Sequence, residues 1–228
     1  GAQLSHIPPF LLVGLALTIG GAIGLFRLRE WRVPWGVMAV GIYGLFGYHF
    51  LLFTAFQHAP AVEANLLNYL WPLLIVLLSP LLISGASLHL HHLLGALLGL
   101  LGAGLIVTGG NIGLDVVHLP GYLMAAGAAF VWASYSLLTK RVAPFPTAAV
   151  AGFCAVSGAL SLGLFFLSNP PGEAWRALQL SASDWVFLLL LGFGPMGSAF
   201  FTWDAALKRG DPRIIEQLRQ QGSLFSSK

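Results

Sequence analysis

The sequence predicts an all-α protein, a polytopic bundle of membrane-spanning helices, and three features of its 228 residues lead to that class. Hydrophobic residues make up 57% of the chain and charged residues 8%, against about 25% charged in a typical soluble domain. The apolar residues form long continuous runs, and 28 glycines lie among them, as is common where membrane helices pack closely. So few charges could not cover a soluble globule of this size, and so much apolar side chain excludes a disordered chain.

Seven apolar runs are long enough to cross the hydrocarbon core of a bilayer, which takes roughly 17–25 residues per helix. In chain order these predicted spans cover residues 8–26, 35–56, 61–83, 92–108, 121–138, 147–167 and 185–207. Their hydrophobicity is continuous and does not alternate, which excludes the strands of a membrane barrel. Beyond Arg213 the chain is too polar to enter lipid, so we expect no eighth span.

The basic residues between the spans predict the orientation. The loop after the first span, the loop after the fifth and the segment from the end of the seventh span to Arg213 share one side of the membrane. Together they hold eight Lys and Arg residues. The opposite side has only Arg176. Because cytoplasmic loops concentrate Lys and Arg, we expect the basic side to be cytoplasmic and the N-terminus to begin outside. Residues 1–6 lack the basic region of a signal peptide, so we also expect that a segment precedes them.

The second and seventh spans are similar to each other and run in opposite directions across the membrane. At an offset of 151 residues, Gly41 aligns with Gly192. Oppositely inserted repeats are a common transporter architecture. The offset predicts a first repeat over residues 1–110, the start of a second over 111–215 and an atypical polar tail over 216–228. The seven spans would then be helices two to eight of a ten-helix parent; the alternative is a seven-helix protein with a chance similarity.

Pro72 lies in the middle of the third span and predicts a broken helix. Proline has no N–H to donate, and its ring displaces the carbonyl of Asn68, four residues earlier. In lipid such a carbonyl must find a partner or line a wet cavity. Broken helices near the midplane are a common binding device in transporters. We therefore expect a binding site here, with a simple packing kink as the alternative.

Several aromatic residues lie deep in their spans, where no interfacial belt would place them. These are Tyr48, Tyr69, Trp71, Trp132 and Tyr135, whereas Trp203 lies nearer the inner end of its span. Their rings can stack on a planar solute, and their faces attract a cation. Ordinary helix packing would explain any one of them, but the set predicts the lining of a cavity.

Three ionisable residues within the spans allow a structural and a functional interpretation. His49 is either a buried neutral side chain that bonds a neighbour, or a contact to a solute carboxylate or a proton relay. Glu63 falls in a first helical turn, where the helix macrodipole favours a negative charge. Asp204 precedes Lys208 by four residues, which predicts an interfacial ion pair. For both carboxylates we expect the structural role.

The sequence carries no pattern for other chemistry, so we expect neither an enzyme nor a cofactor. His89, His91 and His92 form a loop cluster without the cysteines or carboxylates of a metal site. Ser134 and Ser136 have no base beside them in sequence that could activate a nucleophile. Glycine-rich phosphate loops are absent, and the basic residues lie in short loops that give no footprint for nucleic acid. The expected partners are a small-molecule solute and the lipid bilayer, with the protein as a monomer.

Four strings resemble the drug/metabolite transporter superfamily of EamA type, and within it the branch of aromatic amino-acid exporters. They are 44–56 (GLFGYHFLLFTAF), 68–78 (NYLWPLLIVLL), 130–136 (FVWASYS), and 200–204 (FFTWD) with 208–211 (KRGD). The resemblance implies ten helices in two inverted repeats around a central cavity. It also implies export of aromatic amino acids and related small amphipathic metabolites by alternating access in the bacterial inner membrane.

With the resemblance added, we expect one substrate-binding set. Its members are Tyr48, His49, Asn68, Tyr69, Trp71, Pro72, Trp132 and Tyr135. Two alternatives remain open. One is a multidrug exporter of flat quaternary cations; the other is a truncated fragment that does not transport, because absent helices would leave the cavity open to lipid.

Overall fold

The computed structural model of the chain describes residue 4 and residues 6–83, 90–108 and 115–209. Within those ranges every regular element is a helix, which confirms the all-α class. The helices are α1 (Pro9–Ala22), a 3-10 helix (Leu25–Trp31), α2 (Trp35–His58), α3 (Ala61–Leu82), α4 (Leu90–Thr108), a 3-10 turn (Val116–His118), α5 (Leu119–Leu138), α6 (Ala149–Ser168), α7 (Pro171–Ala177) and α8 (Ala182–Arg209).

Five of these helices are long and apolar enough to cross a membrane, namely α2, α3, α5, α6 and α8. The pair formed by α1 and the 3-10 helix after it qualifies as a sixth if the two count as one bent span. The remaining predicted span corresponds to α4, in which Leu93–Gly102 is a shorter apolar stretch. The chain is therefore a multi-pass membrane protein.

The first span ends earlier than the sequence predicts. Helix α1 stops at Ala22, and the following 3-10 helix turns away from it by 92°. Trp31 holds this corner, because its indole Nε1 donates a hydrogen bond to the carbonyl of Gly24 at 3.1 Å. A side chain at Gly24 would collide with Ala151 of α6, so the corner requires glycine. The predicted basic loop after span one is thus largely a short helix.

Helix α1 packs against α6 and α8 and contributes to the largest buried cluster of the described residues. Leu17 of α1 packs there with Phe153 and Cys154 of α6, and all three side chains are fully buried or nearly so. Gly158 allows the close approach of α1 and α6, since a Cβ built on it would lie 2.6 Å from the Thr18 hydroxyl oxygen. Tyr135 of α5 belongs to the same cluster, and Trp132 of α5 and Phe200 of α8 pack against it.

Three of the crossing helices are interrupted. Helix α2 contains a π-helical turn at Tyr43–Gly47, and α8 contains one at Gly194–Ser198. The two turns lie 151 residues apart, the same offset at which Gly41 aligns with Gly192. Helix α3 divides into Ala61–Asn68 and Trp71–Leu82. Single π turns inside α-helices occur often at functional sites. The interruptions therefore indicate a candidate site near α2, α3 and α8.

Helix α3 is broken near Pro72, as the sequence predicts, but the proline lies at the start of the second half and not in the break. Pro72 is the second residue of the second half of α3. In that position its missing N–H has no intrahelical acceptor to lose. The break itself falls on Tyr69 and Leu70, just before it.

Helix α8 begins three residues before the predicted start of its span. A capping box explains this, because Ser181 Oγ accepts a hydrogen bond from the backbone N–H of Asp184 at 3.2 Å. In return, the Asp184 carboxylate accepts from the backbone N–H of Ser181 at 2.9 Å. The predicted repeat boundary near residue 110, the predicted polar tail 216–228 and His89 lie outside the described residues.

Candidate solute-binding site

Trp132 of α5 lies at the centre of a group of aromatic rings drawn from three helices. Its ring centroid is 5.3 Å from that of Tyr48 on α2 and 5.4 Å from that of Tyr135 on α5. It is also 5.7 Å from Phe200 and 5.9 Å from Trp203, both on α8. Ring centroids 4.5–7 Å apart are in the range where aromatic pairs stabilise each other. We call these five residues together with Trp71 the aromatic cluster.

Trp71 joins the cluster through α8. Its ring meets that of Trp203 edge-on, with centroids 5.4 Å apart and an angle of 88° between the ring planes. Trp71 is also the first residue of the second half of α3. The cluster therefore ends directly at the break in that helix.

Ser136 fixes the position of Trp203. Its hydroxyl accepts a hydrogen bond from the indole Nε1 of Trp203 at 3.2 Å and donates one to the carbonyl of Trp132 at 2.8 Å. Ser136 is 1% exposed, so these bonds form without competition from water. The sequence alone did not place Phe200 and Trp203 in the binding set. Their spacing of three residues, which puts both on one face of a helix, is the signal that could have found them.

Asn68 closes the first half of α3 and contacts the cluster through Tyr48. Its amide Nδ2 donates a hydrogen bond to the Tyr48 hydroxyl at 3.1 Å. Asn68 is 9% exposed, and its carbonyl oxygen Oδ1 is buried without a partner among the described residues. A buried polar atom without a hydrogen bond costs about 1–3 kcal/mol. The site thus contains one acceptor whose hydrogen-bonding capacity is unused.

His49 is 5% exposed and bonded to its own helix. Its Nδ1 lies 2.6 Å from the carbonyl oxygen of Leu45, so Nδ1 must carry the proton. In the neutral ring Nε2 is then an acceptor. The ring lies 5.8 Å from Phe200, at the edge of the aromatic cluster. This is the bond expected for a buried neutral histidine; a contact with a solute or a proton relay stays a prediction.

Tyr69 is the predicted site residue that stands apart. It lies in the break of α3 and is 43% exposed. Its ring makes none of the ring contacts found among the described residues, whereas Tyr48, Trp71, Trp132 and Tyr135 all do. Pro72, in the next turn, begins the helix that carries Trp71 and contributes through the backbone.

Both carboxylates have structural partners, of which the sequence predicts the one at Asp204. Asp204 Oδ2 lies 2.6 Å from Lys208 Nζ, which confirms the ion pair. Asp204 is only 2% exposed, so the pair is buried on the carboxylate side and is not simply interfacial. Glu63 lies in the first turn of α3 and accepts a hydrogen bond from the Tyr122 hydroxyl of α5.

Lys208 is held by two further groups. Its ammonium donates a hydrogen bond to the Thr147 hydroxyl at 3.3 Å and lies 4.1 Å from the centroid of the Phe145 ring. Over the ranges that the structure describes, the side-chain hydrogen bonds of the aromatic cluster join Tyr48 to Asn68 and Trp203 to Ser136, and they involve no Lys or Arg side chain. The site is therefore aromatic and rich in acceptors, without a free cation of its own in those contacts.

Several crossing helices, two of them with π turns and one broken beside an aromatic cluster, define a solute transporter of the α-helical class. The model of the EamA-like transporter family matches residues 2–108 and again residues 119–220. The chain belongs to that family.

Two similar proteins and one solved structure support the assignment. The chain is 43% identical to the aromatic amino acid exporter YddG of Ancylobacter novellus, over 97% of the chain and 78% of that protein. It is 28% identical to the aromatic amino acid exporter YddG of Escherichia coli K12, over 90% of the chain and 70% of that protein. A solved crystal structure of a protein with 43% identity superposes with a TM-score of 0.82, over 93% of this chain and 74% of the other.

Proposed function

We propose that the protein exports aromatic amino acids and related small amphipathic metabolites by alternating access. One observation carries the proposal: Trp132 contacts rings from α2, α5 and α8 in a cluster that ends at the break in α3. A planar side chain of a solute can replace one of these ring contacts at little cost, because offset and edge-on pairs have similar energies. The names of the two similar exporters agree with this chemistry.

The proposed binding set keeps the eight residues that the sequence indicates and adds two. Tyr48, Trp71, Trp132 and Tyr135 supply ring faces, with Phe200 and Trp203 as the additions. His49 and Asn68 supply polar contacts, while Pro72 sets the break and Tyr69 lies in it. The break and the two π turns would let α2, α3 and α8 bend around the solute without unfolding.

The proposed setting is the bacterial inner membrane, with the basic loops cytoplasmic and the protein as a monomer. The excess of Lys and Arg on one side of the seven spans supports this orientation. We further propose that residues 1–110 and 111–215 are oppositely inserted repeats. The equal offset of the two π turns and the two separate family matches support that division.

Reconstitution into liposomes tests the function directly. Proteoliposomes loaded with labelled phenylalanine should release it faster than equally loaded liposomes that contain no protein. Trp132→Ala should reduce this release up to about tenfold, because the solute loses a ring contact of about 0.5–1.5 kcal/mol. Trp35→Ala is the matched control, since Trp35 begins α2 at 76% exposure, outside the cluster, and its loss should leave release unchanged.

Two results would contradict the proposal. Release by Trp132→Ala at the rate of the unmodified protein would remove the cluster from the transport path. Competition by a quaternary amine, with none by unlabelled phenylalanine, would favour an exporter of flat cations, because ring faces also bind such ions.

A further inference from the structure

We propose that Asn68 Oδ1 accepts a hydrogen bond from the ammonium group of the transported solute, and so selects solutes that carry such a group. The inference rests on the proposed function and names the polar group that the site recognises. Tyr48 orients the Asn68 amide. Because Nδ2 donates to the Tyr48 hydroxyl at 3.1 Å, Oδ1 is the atom left without a partner.

An unused buried acceptor is rare in this protein. Over the ranges that the structure describes, two buried side-chain polar atoms lack a hydrogen bond, Asn68 Oδ1 and Ser157 Oγ. Ser157 lies on α6 and belongs to no ring contact of the aromatic cluster. Asn68 is joined to Tyr48, whose ring packs on Trp132. Of the two atoms, Asn68 Oδ1 is therefore the one beside the proposed solute site.

The chemistry of this atom determines what it can bind. A carbonyl oxygen only accepts hydrogen bonds, so its ligand must be a donor. The ring faces nearby attract positive charge as well. Among the described residues, no Lys or Arg side chain forms a hydrogen bond with Asn68 or Tyr48 that could attract a carboxylate there. The surroundings of Asn68 thus favour an ammonium group over a carboxylate.

The position of Asn68 explains how a solute reaches a buried atom. Asn68 is the last residue of the first half of α3, directly before the break at Tyr69 and Leu70. Bending at the break moves Asn68 relative to Trp71, which begins the second half. The ammonium would then bind Oδ1 in the bent conformation and leave when the helix returns to the present one.

Two phenylalanine analogues test the inference by binding, separately from transport. Phenethylamine keeps the ammonium and lacks the carboxylate; 3-phenylpropionate has the carboxylate and lacks the ammonium. Each is titrated into the purified protein, and the tryptophan fluorescence of the cluster reports binding. Phenethylamine should bind about tenfold or more tightly than 3-phenylpropionate, the range expected for a hydrogen bond to a charged donor.

Variants of Asn68 assign that preference to one atom. Asn68→Leu should weaken phenethylamine binding about tenfold, whereas Asn68→Asp, which keeps an acceptor oxygen there, should retain it or strengthen it. Ser157→Ala is the control and should change neither affinity, although it alters the other unpartnered atom.

Equal or tighter binding of 3-phenylpropionate by the unmodified protein would overturn the inference, and this comparison needs no variant to fold. Unchanged phenethylamine affinity in Asn68→Leu would overturn it as well. Failure of the liposomes to release phenylalanine, with the amine preference intact, would count against the proposed function alone.

Discussion

Replacing Lys208 with methionine removes the positive charge from a pair whose carboxylate is almost completely buried. Asp204 is 2% exposed, whereas the Lys208 side chain is 28% exposed. Methionine keeps most of the packing volume of lysine against Phe145 but leaves the Asp204 carboxylate without its 2.6 Å partner. We expect Lys208→Met to destabilise the protein strongly.

Substitution of Lys208 and substitution of Asp204 should differ in their effect on the free energy of unfolding. Breaking a buried pair by removing one partner costs about 3–5 kcal/mol, and the partial exposure of Lys208 favours the lower end of that range. Asp204→Asn should cost about 1 kcal/mol, because the amide oxygen still accepts from the ammonium and the partly exposed lysine can reach water. The double variant should be more stable than Lys208→Met, since it contains no unpaired buried charge.

Thermal unfolding of the purified protein in detergent measures these differences, with tryptophan fluorescence as the signal. A loss of about 3 kcal/mol corresponds to a fall in the melting temperature of roughly 6–12 °C for a chain of this length. The reasoning is refuted if Asp204→Asn lowers the melting temperature as much as Lys208→Met does. It is also refuted if the double variant melts below Lys208→Met.

Two further predictions use the same unfolding assay. Gly41→Ala should lower the free energy of unfolding by about 1–3 kcal/mol, because the new Cβ would overlap the Phe153 ring. Gly99→Ala on α4 is the control, since its Cβ would meet open space, and it should be neutral or slightly stabilising. Equal effects of the two substitutions would contradict the packing between α2 and α6. Tyr122→Phe should cost about 1–2 kcal/mol, because the Glu63 carboxylate loses its donor. An unchanged melting temperature would show that this bond contributes nothing to stability.

Local features of the chain were predictable because each depends on residues close together in sequence. The ion pair of Asp204 and Lys208 follows from a four-residue spacing on one helix, and the structure confirms it. The acidic first turn at Glu63 is of the same kind. The break near Pro72 also follows from local backbone chemistry, although the structure gives the proline the start of the second half and puts the break on the residues before it.

Contacts between distant residues were not predictable in the same way. The bond from Trp203 to Ser136 joins positions 67 residues apart, and the bond from Tyr122 to Glu63 joins positions 59 apart. Trp203 lies near the end of its span in the sequence, which favours an interfacial position. The packing of α8 on its neighbours brings the Trp203 ring against Trp132.

The sequence by itself determined that this chain crosses a membrane several times as helices. Lipid offers the backbone no hydrogen-bond partners, so a continuous apolar run is stable there when its N–H and C=O groups bond within the run, as they do in a helix. The tertiary structure alone decided which face of each helix turns inward. A helix that is apolar all round carries no stripe to set its rotation about its own axis. That rotation gathers four rings around Trp132 and Trp203 and buries the oxygen of Asn68 beside Tyr48.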